Sequence, residues 1–302
     1  MALEHTPVLL APILRLLDPR PGQVILDGTL GLGGHALALL PRILPGGRYL
    51  GLDIDEDMLA IARDRLAAHQ DHVRCIHASY ADVPAVLAAE PTPLVDHMLL
   101  DLGVNSAQLA DAARGFSFDR EGPLDMRFDR RQKRTALDLV NSLDERELAD
   151  LFYEFGGEGM SRKIAKRICH VRHDARIMTT AALARAIESA YHAEGRGGGE
   201  RIAPATRVFQ ALRVAVNREL DNLTAFLGHV VEHLRPGGRL AVVSFHSLED
   251  GTVKRFLRDA ERAGTMTEIT RRPEIADASE RHANPRSRSA KLRVAERLGS
   301  AA

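Results

Sequence analysis

An α/β fold on a mostly parallel sheet, interrupted by an all-helical insertion, is what the sequence predicts. Short apolar runs alternate with helical stretches over residues 22–103, the mark of βαβ units. From Ser142 the pattern is helical alone. A buried strand then returns at Leu240-Ala241-Val242-Val243-Ser244-Phe245, an unbroken apolar run of the kind that parallel sheets cover on both faces. The economical arrangement is a discontinuous sheet domain, residues 1–105 and 206–302, around an inserted helical domain, residues 106–205.

Each element has its own signal. Val24-Ile25-Leu26-Asp27 ends in glycine and leads into a helix through Ala36 and Leu40. Pro45-Gly46-Gly47 turns the chain into the second strand, Arg48–Asp53, and Asp55 can cap the helix carrying Met58, Ala62 and Leu66. Val73–Ile76 and Asp96–Asp101 are the third and fourth strands. Residues 104–134 show little periodicity and many charges. Ser142 and Glu145 match a capping box ahead of Leu148, Leu151, Phe152 and Phe155. Helices follow around Ile164–Val171 and Leu183–Ile187, then a flexible loop at Gly195-Arg196-Gly197-Gly198-Gly199. One helical period spans Val208 to Leu234 and stops at Pro236-Gly237-Gly238. A helix around Val253–Leu257 and strand-like runs at Thr267–Thr270 and Leu292–Ala295 finish the chain.

Composition narrows the function. In 302 residues, 41 Lys plus Arg balance 41 Asp plus Glu, which disfavours nucleic-acid binding over the whole surface and leaves room for a local basic face. At 45% hydrophobic and 27% charged, the chain is a globular protein rather than a disordered one. Aromatics at 4%, with no Trp, disfavour a broad platform of stacked bases. No apolar run approaches the roughly 18 residues of a membrane span, and Met1-Ala2-Leu3-Glu4-His5 has none of the features of a signal peptide. Cys75 and Cys169 stand far apart, so neither a disulfide framework nor a metal cluster is expected. A cytoplasmic location follows.

The strongest local signal is Asp27-Gly28-Thr29-Leu30-Gly31-Leu32-Gly33-Gly34-His35, between the first strand and its helix. Glycines let the backbone turn tightly and let a ligand approach the main chain. Ligands of open parallel sheets bind beyond the strand ends at the switch point, where this loop lies. Asp53, ending the next strand, suits the two hydroxyls of a ribose. The glycine spacing matches neither a dinucleotide fingerprint nor a phosphate loop, and Asp27 favours a cationic ligand. S-adenosylmethionine, with ribose, adenine, ammonium and sulfonium, fits these clues; another nucleotide or a ligand-free turn stays open on the loop alone. Tyr80 stands where an adenine needs an aromatic wall, or is an ordinary core tyrosine. Asp101 ends the fourth strand at the same rim, or caps a turn, and His35 favours cofactor contact over proton transfer.

Further stretches make the pattern specific. They are His5-Thr6-Pro7-Val8-Leu9-Leu10, Leu100-Asp101-Leu102-Gly103-Val104-Asn105-Ser106-Ala107-Gln108-Leu109, Arg114-Gly115-Phe116-Ser117-Phe118 and Gly122-Pro123-Leu124-Asp125-Met126-Arg127. With them go Pro204-Ala205-Thr206-Arg207-Val208-Phe209-Gln210-Ala211-Leu212-Arg213, Ser244-Phe245-His246-Ser247-Leu248-Glu249-Asp250 and Asn284-Pro285-Arg286-Ser287-Arg288-Ser289. In order, from about residue 5 to 297, the set resembles the bacterial small-subunit ribosomal RNA cytosine-N4 methyltransferases, the RsmH or MraW family. The resemblance implies a class I, Rossmann-like methyltransferase sheet with a helical substrate-recognition insertion. It implies S-adenosyl-L-methionine as cofactor and, as substrate, a cytosine in the decoding region of 16S rRNA within the small ribosomal subunit. Carried over by motif, the cofactor contacts fall on Gly33, Gly34, His35, Asp53, Tyr80, Asp101 and Gln108. Asn105 and Tyr80 depart from the family's usual Ser and Phe but keep the roles of turn residue and aromatic wall.

The chemistry names two catalytic candidates. A cytosine amine is a poor nucleophile because its lone pair is delocalised, so an acceptor for its N–H groups is needed; Asp101 is that candidate. His246, after the returning strand, reaches the same rim or is structural. No metal is expected. Two basic clusters suit RNA phosphates or are solvated faces: Arg162, Lys163, Lys166, Arg167, Arg172 and Arg176, and Arg281, Arg286, Arg288, Lys291 and Arg293. The rival functions are a catalytically silent RNA-binding assembly factor and a DNA cytosine-N4 methyltransferase. Monomer and homodimer stay open.

Overall fold

A computed structural model of the chain describes residues 7–91, 93–194 and 204–299. The chain divides into two compact units, residues 1–103 with 220–302 and residues 104–219.

The first unit opens with α1 (Leu10–Leu17), β1 (Val24–Asp27), α2 (Gly34–Ile43), β2 (Arg48–Asp53), α3 (Glu56–Arg65), β3 (Val73–His77), α4 (Val83–Ala88) and β4 (Val95–Asp101). Every predicted strand and helix of this half is present. The Asp55 carboxylate caps α3 by accepting from the Asp57 N–H at 3.1 Å.

The second unit holds α5 (Ser106–Ala110), α6 (Ala136–Ser142), α7 (Glu145–Gly156), α8 (Ser161–Asp174), α9 (Thr180–Ala193) and α10 (Pro204–Asn217). It has its own core, in which Phe152, Ile164, Ile168, Leu183, Ile187, Val208 and Leu212 interlock. Each such side chain contributes about 1.5–3 kcal/mol by leaving water. The capping box of α7 is Asp144 with Glu147, not Ser142 with Glu145. Ser142 instead returns its hydroxyl to the Asp138 carbonyl of α6. The predicted Gly195–Gly199 loop lies outside the described residues.

The chain returns to the first unit with α11 (Glu219–His233), β5 (Leu234–Ser244), α12 (Ser247–Arg262), β6 (Met266–Glu268), α13 (Ala278–Ala283) and β7 (Lys291–Arg297). The single helical period expected from Val208 to Leu234 is therefore two helices. The break is at Arg218, whose backbone is left-handed, with φ 50°. It moves the second unit boundary from 205/206 to 219/220. The reason is packing: Val208 and Leu212 of α10 belong to the core that Phe152 of α7 and Ile187 of α9 build, whereas Leu223, Phe226 and Leu227 of α11 lie against the sheet.

The sheet runs β3-β2-β1-β4-β5-β7-β6. Its first five strands are parallel and β7 is antiparallel to both β5 and β6. This is the α/β class that the sequence predicts. Successive residues point to opposite layers. In β1, Ile25 joins the layer of α1, α2 and α3, while Val24 and Leu26 join that of α4, α11 and α12. In β4, Leu99 and its neighbours Met98 and Leu100 divide the same way. Burial on both sides explains the unbroken apolar runs. Strand order reverses between β1 and β4, which opens a crevice beyond their carboxyl ends. No helix among the described residues is long and apolar enough to cross a membrane.

Candidate active site

Parallel strands end together, so the sheet delivers Asp27, Asp53 and Asp101 to one rim, at the ends of β1, β2 and β4. The glycine loop from Gly28 to Gly33 is tied down between them. Gly28 donates its N–H to the Leu99 carbonyl at 2.9 Å, and Leu30 donates to Leu52 at 2.8 Å. The Asp101 N–H donates to the Thr29 hydroxyl oxygen at 2.6 Å. Arg65 donates to the Leu32 carbonyl at 2.7 Å. Gly28 needs to be glycine: a Cβ there would stand 2.5 Å from a Leu100 methyl and 2.7 Å from the Tyr80 Cβ. Gly33 caps α2 with a left-handed φ of 76° and offers no side chain to the first turn. The backbone N–H groups at Gly34 and His35 thus open a helix whose N-terminus suits electronegative ligand atoms.

Asp53 sits half-buried with a task of its own. One carboxylate oxygen accepts from the Gly31 N–H at 2.7 Å and the other from the Asp55 N–H at 2.9 Å. Burial pushes its pKa up to about 7, against those two hydrogen bonds and with the help of the Asp55 and Asp27 charges. Asp27 is fully buried and accepts from the Tyr49 hydroxyl at 2.7 Å and the Thr29 N–H at 3.0 Å. Its pKa is raised, again mainly by burial, opposed by the Tyr49 hydrogen bond and the His35 charge.

His35 and Asp101 meet. His35 Nε2 lies 3.3 Å from one Asp101 carboxylate oxygen. Burial alone would depress the imidazole, but its hydrogen bond to Asp101 and the Asp101 and Asp27 charges prevail and raise its pKa. Their other polar atoms, His35 Nδ1 and Asp101 Oδ1, are buried without a hydrogen-bond partner among the described residues. Buried polar atoms are nearly always paired, so this pair at the strand ends is a candidate ligand contact.

Tyr80 follows β3 on a short turn that Ser79 caps through the Ala81 N–H. Its ring packs edge-on to Phe226 of α11, with centroids 6.0 Å apart, and it borders Gly28. Of the predicted site residues, the structure therefore gathers Gly33, Gly34, His35, Asp53, Tyr80 and Asp101 around one rim. Gln108 belongs to the second unit, where it is buried and completes a capping box: Asn105 Oδ1 accepts from the Gln108 N–H and Gln108 Oε1 accepts from the Asn105 N–H. Asn105 is thus a helix cap.

His246 stands at the start of α12, just after β5, with a structural contact of its own. It is the N-cap of α12, accepting the Glu249 N–H at Nδ1, while Nε2 faces the Glu249 carboxylate at 3.1 Å. The same carboxylate accepts from the Phe245 N–H at 2.8 Å. The ring is held by the loop after β5 and acts as part of it. Sequence reasoning missed Thr29, Tyr49 and Arg65. Only Thr29, two residues after Asp27, carried a local signal, that of a side chain closing a turn.

The basic clusters also sort by partner. On α8, Ile164 and Ile168 are buried and Arg162, Lys163, Lys166 and Arg167 face solvent, as the period requires. Lys163 pairs with Glu194, and Arg167 donates to the Ser189 hydroxyl. Arg172 donates to the Val140 carbonyl at 2.6 Å, at the end of α6. Near the C-terminus, Lys291 and Arg293 both bind Asp250, at 3.0 and 2.7 Å.

The family model described as the MraW methylase family matches residues 2–298. A Sorangium cellulosum protein named Ribosomal RNA small subunit methyltransferase H is 46% identical over 298 residues, covering 99% of this chain and 92% of that one. A protein of the same name from Deinococcus radiodurans is 48% identical over 297 residues, covering 98% and 91%. Another, from Syntrophotalea carbinolica, is 44% identical over 310 residues and covers 98% of both chains.

Proposed function

The chain belongs to the MraW methylase family, and from that premise we propose that it methylates the exocyclic N4 of a cytosine in the decoding region of 16S rRNA, within the small ribosomal subunit and in the cytoplasm. The cofactor is S-adenosylmethionine. The names of the relatives support ribosomal RNA as substrate; the unsatisfied Asp101 Oδ1 beside His35 carries the chemistry.

The residues at the rim fit this cofactor. A cationic nucleoside meets three carboxylates, two orphaned polar atoms and a helix start with no side-chain cap. The first turn of α2, from Gly33 through His35, would hold its polar end, Asp53 the ribose hydroxyls and Tyr80 the adenine; Gln108 is assigned by family resemblance. When bound, it supplies an electrophilic methyl group on a sulfonium. The chain's part is alignment, since holding two reactants in line can contribute about 7–11 kcal/mol. Asp101 accepts an N–H of the target amine at Oδ1, which localises the nitrogen lone pair and offsets the positive charge developing there. As the N–C bond formed and the methyl–sulfur bond broke, its electron pair staying on sulfur, Asp101 would take that proton on the same oxygen. His35 keeps the carboxylate in place through the other oxygen. His246 shapes the rim as a positioning residue.

Transfer of labelled methyl to undermodified small subunits, compared with free rRNA and DNA, followed by mapping of the modified nucleotide, tests the reading. Label on a cytosine N4 of the small-subunit RNA is the expected result; label on DNA alone, or none, overturns it.

The second unit is then the substrate-recognition domain, and the exposed side of α8 is its RNA-facing surface. Arg162 and Lys166 are the residues to reverse, because Lys163 and Arg167 already have partners, Glu194 just past α9 and Ser189 on it. Reversing both to Glu should weaken small-subunit binding and flatten its salt dependence, by roughly 0.7–0.9 in log–log slope per lost phosphate contact. Cofactor affinity, measured in parallel, should not change. An unaltered slope would make this side a solvated face.

A further inference from the structure

The exposed side of α12 bears a basic groove that neither the sequence reading nor the active site uses. Gly251, Lys254, Arg255, Arg258, Asp259 and Arg262 line it, and it is shallow and open to solvent. The opposite side of the helix is apolar: Val253, Leu257 and Ala260 are buried against the sheet. The basic residues recur at helical spacing, so they form one stripe rather than a scatter.

Some cations of this unit are matched to carboxylates: Arg15 to Glu274, Arg20 to Asp18, Arg63 to Glu56, Arg239 to Glu296. On α12, Arg262 has such a partner in Asp259, at 3.2 Å. Lys254, Arg255 and Arg258 have no ion pair among the described residues. Like charges one turn apart on a helix repel, so this arrangement costs stability in the free protein. The helix dipole favours cations only in the last turn, which accounts for Arg262 and not for Lys254 or Arg255. A strip of adjacent, mostly exposed cations suits a run of phosphates, which positive side chains hold without reading sequence.

The stripe also has a useful starting point. β5 ends at Ser244 beside β4, and α12 begins three residues later, at the rim that carries Asp101. At about 1.5 Å per residue, Lys254 lies on the order of 10 Å along the helix from that rim, and Arg258 about 6 Å further. A strand leaving the pocket along α12 would meet the stripe end-on.

We propose that Lys254, Arg255 and Arg258 form an RNA phosphodiester-binding track that grips the substrate strand beyond the target nucleotide. The proposal rests on the RNA methyltransferase reading above. The test is binding of a labelled single-stranded oligoribonucleotide across a salt series, for the native chain and for the K254Q/R255Q/R258Q variant. The native chain should show a log–log salt slope, and the variant should lose about 2 from it, at roughly 0.7 per phosphate contact on a single strand. Single-stranded DNA of the same sequence should lose as much, because phosphates rather than bases are held. S-adenosylmethionine affinity should match the native value and the thermal midpoint should be no lower than the native one, since the variant relieves the like-charge repulsion, which separates lost grip from lost fold. The R255K/R258K variant, which keeps charge and alters geometry, should keep the slope.

A variant that binds RNA with the native slope while the native chain methylates small subunits overturns the track and leaves the methyltransferase reading standing. A native chain with neither methyl transfer nor salt-dependent RNA binding overturns both. Loss of slope in R255K/R258K as well, with the fold intact, also overturns the track, because shape rather than phosphate charge would then be recognised.

Discussion

Replacing Asp101 with Asn should slow single-turnover methyl transfer by about a hundred- to a thousandfold, the range seen when one preorganised charge-stabilising group is lost, while S-adenosylmethionine affinity changes only a few-fold. The asymmetry follows from the geometry. Oδ2 already bonds His35, and an Asn can keep that contact through either amide atom. Oδ1 is the buried atom without a partner, and it needs its negative charge only as positive charge grows on the target amine. An interaction made mainly in the transition state lowers the rate without lowering ground-state binding. Rapid-quench measurement with saturating cofactor reads the effect. A near-native rate would leave Asp101 as a cofactor contact only.

Removing Asp53 should act on binding instead. Asp53→Ala should weaken S-adenosylmethionine binding by about 1.5–3 kcal/mol, roughly 10- to 150-fold, for the lost charged acceptor. The same substitution releases the Gly31 and Asp55 N–H groups, so the loop loosens and the upper end of that range is expected. The carboxyl also carries a pH signature. Burial holds its pKa at about 7 in the folded chain, above the ordinary 3.8. The native state therefore binds more protons than the unfolded one between those values. The stability this group contributes is present at low pH and is lost as pH rises through about 7. Cofactor affinity should run the other way, increasing through the same pH as the carboxylate becomes a better acceptor. Calorimetry over that range should show proton release on binding, and Asp53→Asn should abolish it. A pH-independent affinity in the native chain would remove Asp53 from the ribose.

The half of the fold before Gly103 was legible because β1, β2 and β4 are buried on both faces and the helices on one, so periodicity and burial coincide. What lay beyond depended on features that apolar spacing does not encode. Arg218 adopts a left-handed backbone that an arginine seldom takes, and the hydrophobic period runs through it unbroken, so two helices look like one. At α7, Ser142-x-x-Glu145 and Asp144-x-x-Glu147 both match the capping pattern, and only the end of α6 decides between them. The site was legible where side chains project from strand ends: Asp27, Asp53 and Asp101 follow from the parallel sheet. His246 was not, since histidine is an uncommon cap and its partner Glu249 belongs equally to a helical surface pattern. Tyr49 lies mid-strand and reaches Asp27 only across paired strands, a contact that no local spacing displays.

The interruption of the sheet also governs the order in which the molecule can be made. β4 has β1 on one side, but its other neighbour, β5, begins only at residue 234. A ribosome adding about 5–20 residues per second needs on the order of ten seconds to travel from residue 101 to that point. Throughout that interval the nascent chain holds an unpaired strand edge with Met98, Leu99 and Leu100 at its centre, the kind of template that recruits foreign strands. The helical unit is synthesised during the wait and has a self-sufficient core, so it can collapse before the sheet closes. Vectorial synthesis thus sets a kinetic risk at β4 that a refolding experiment on the finished chain would never encounter.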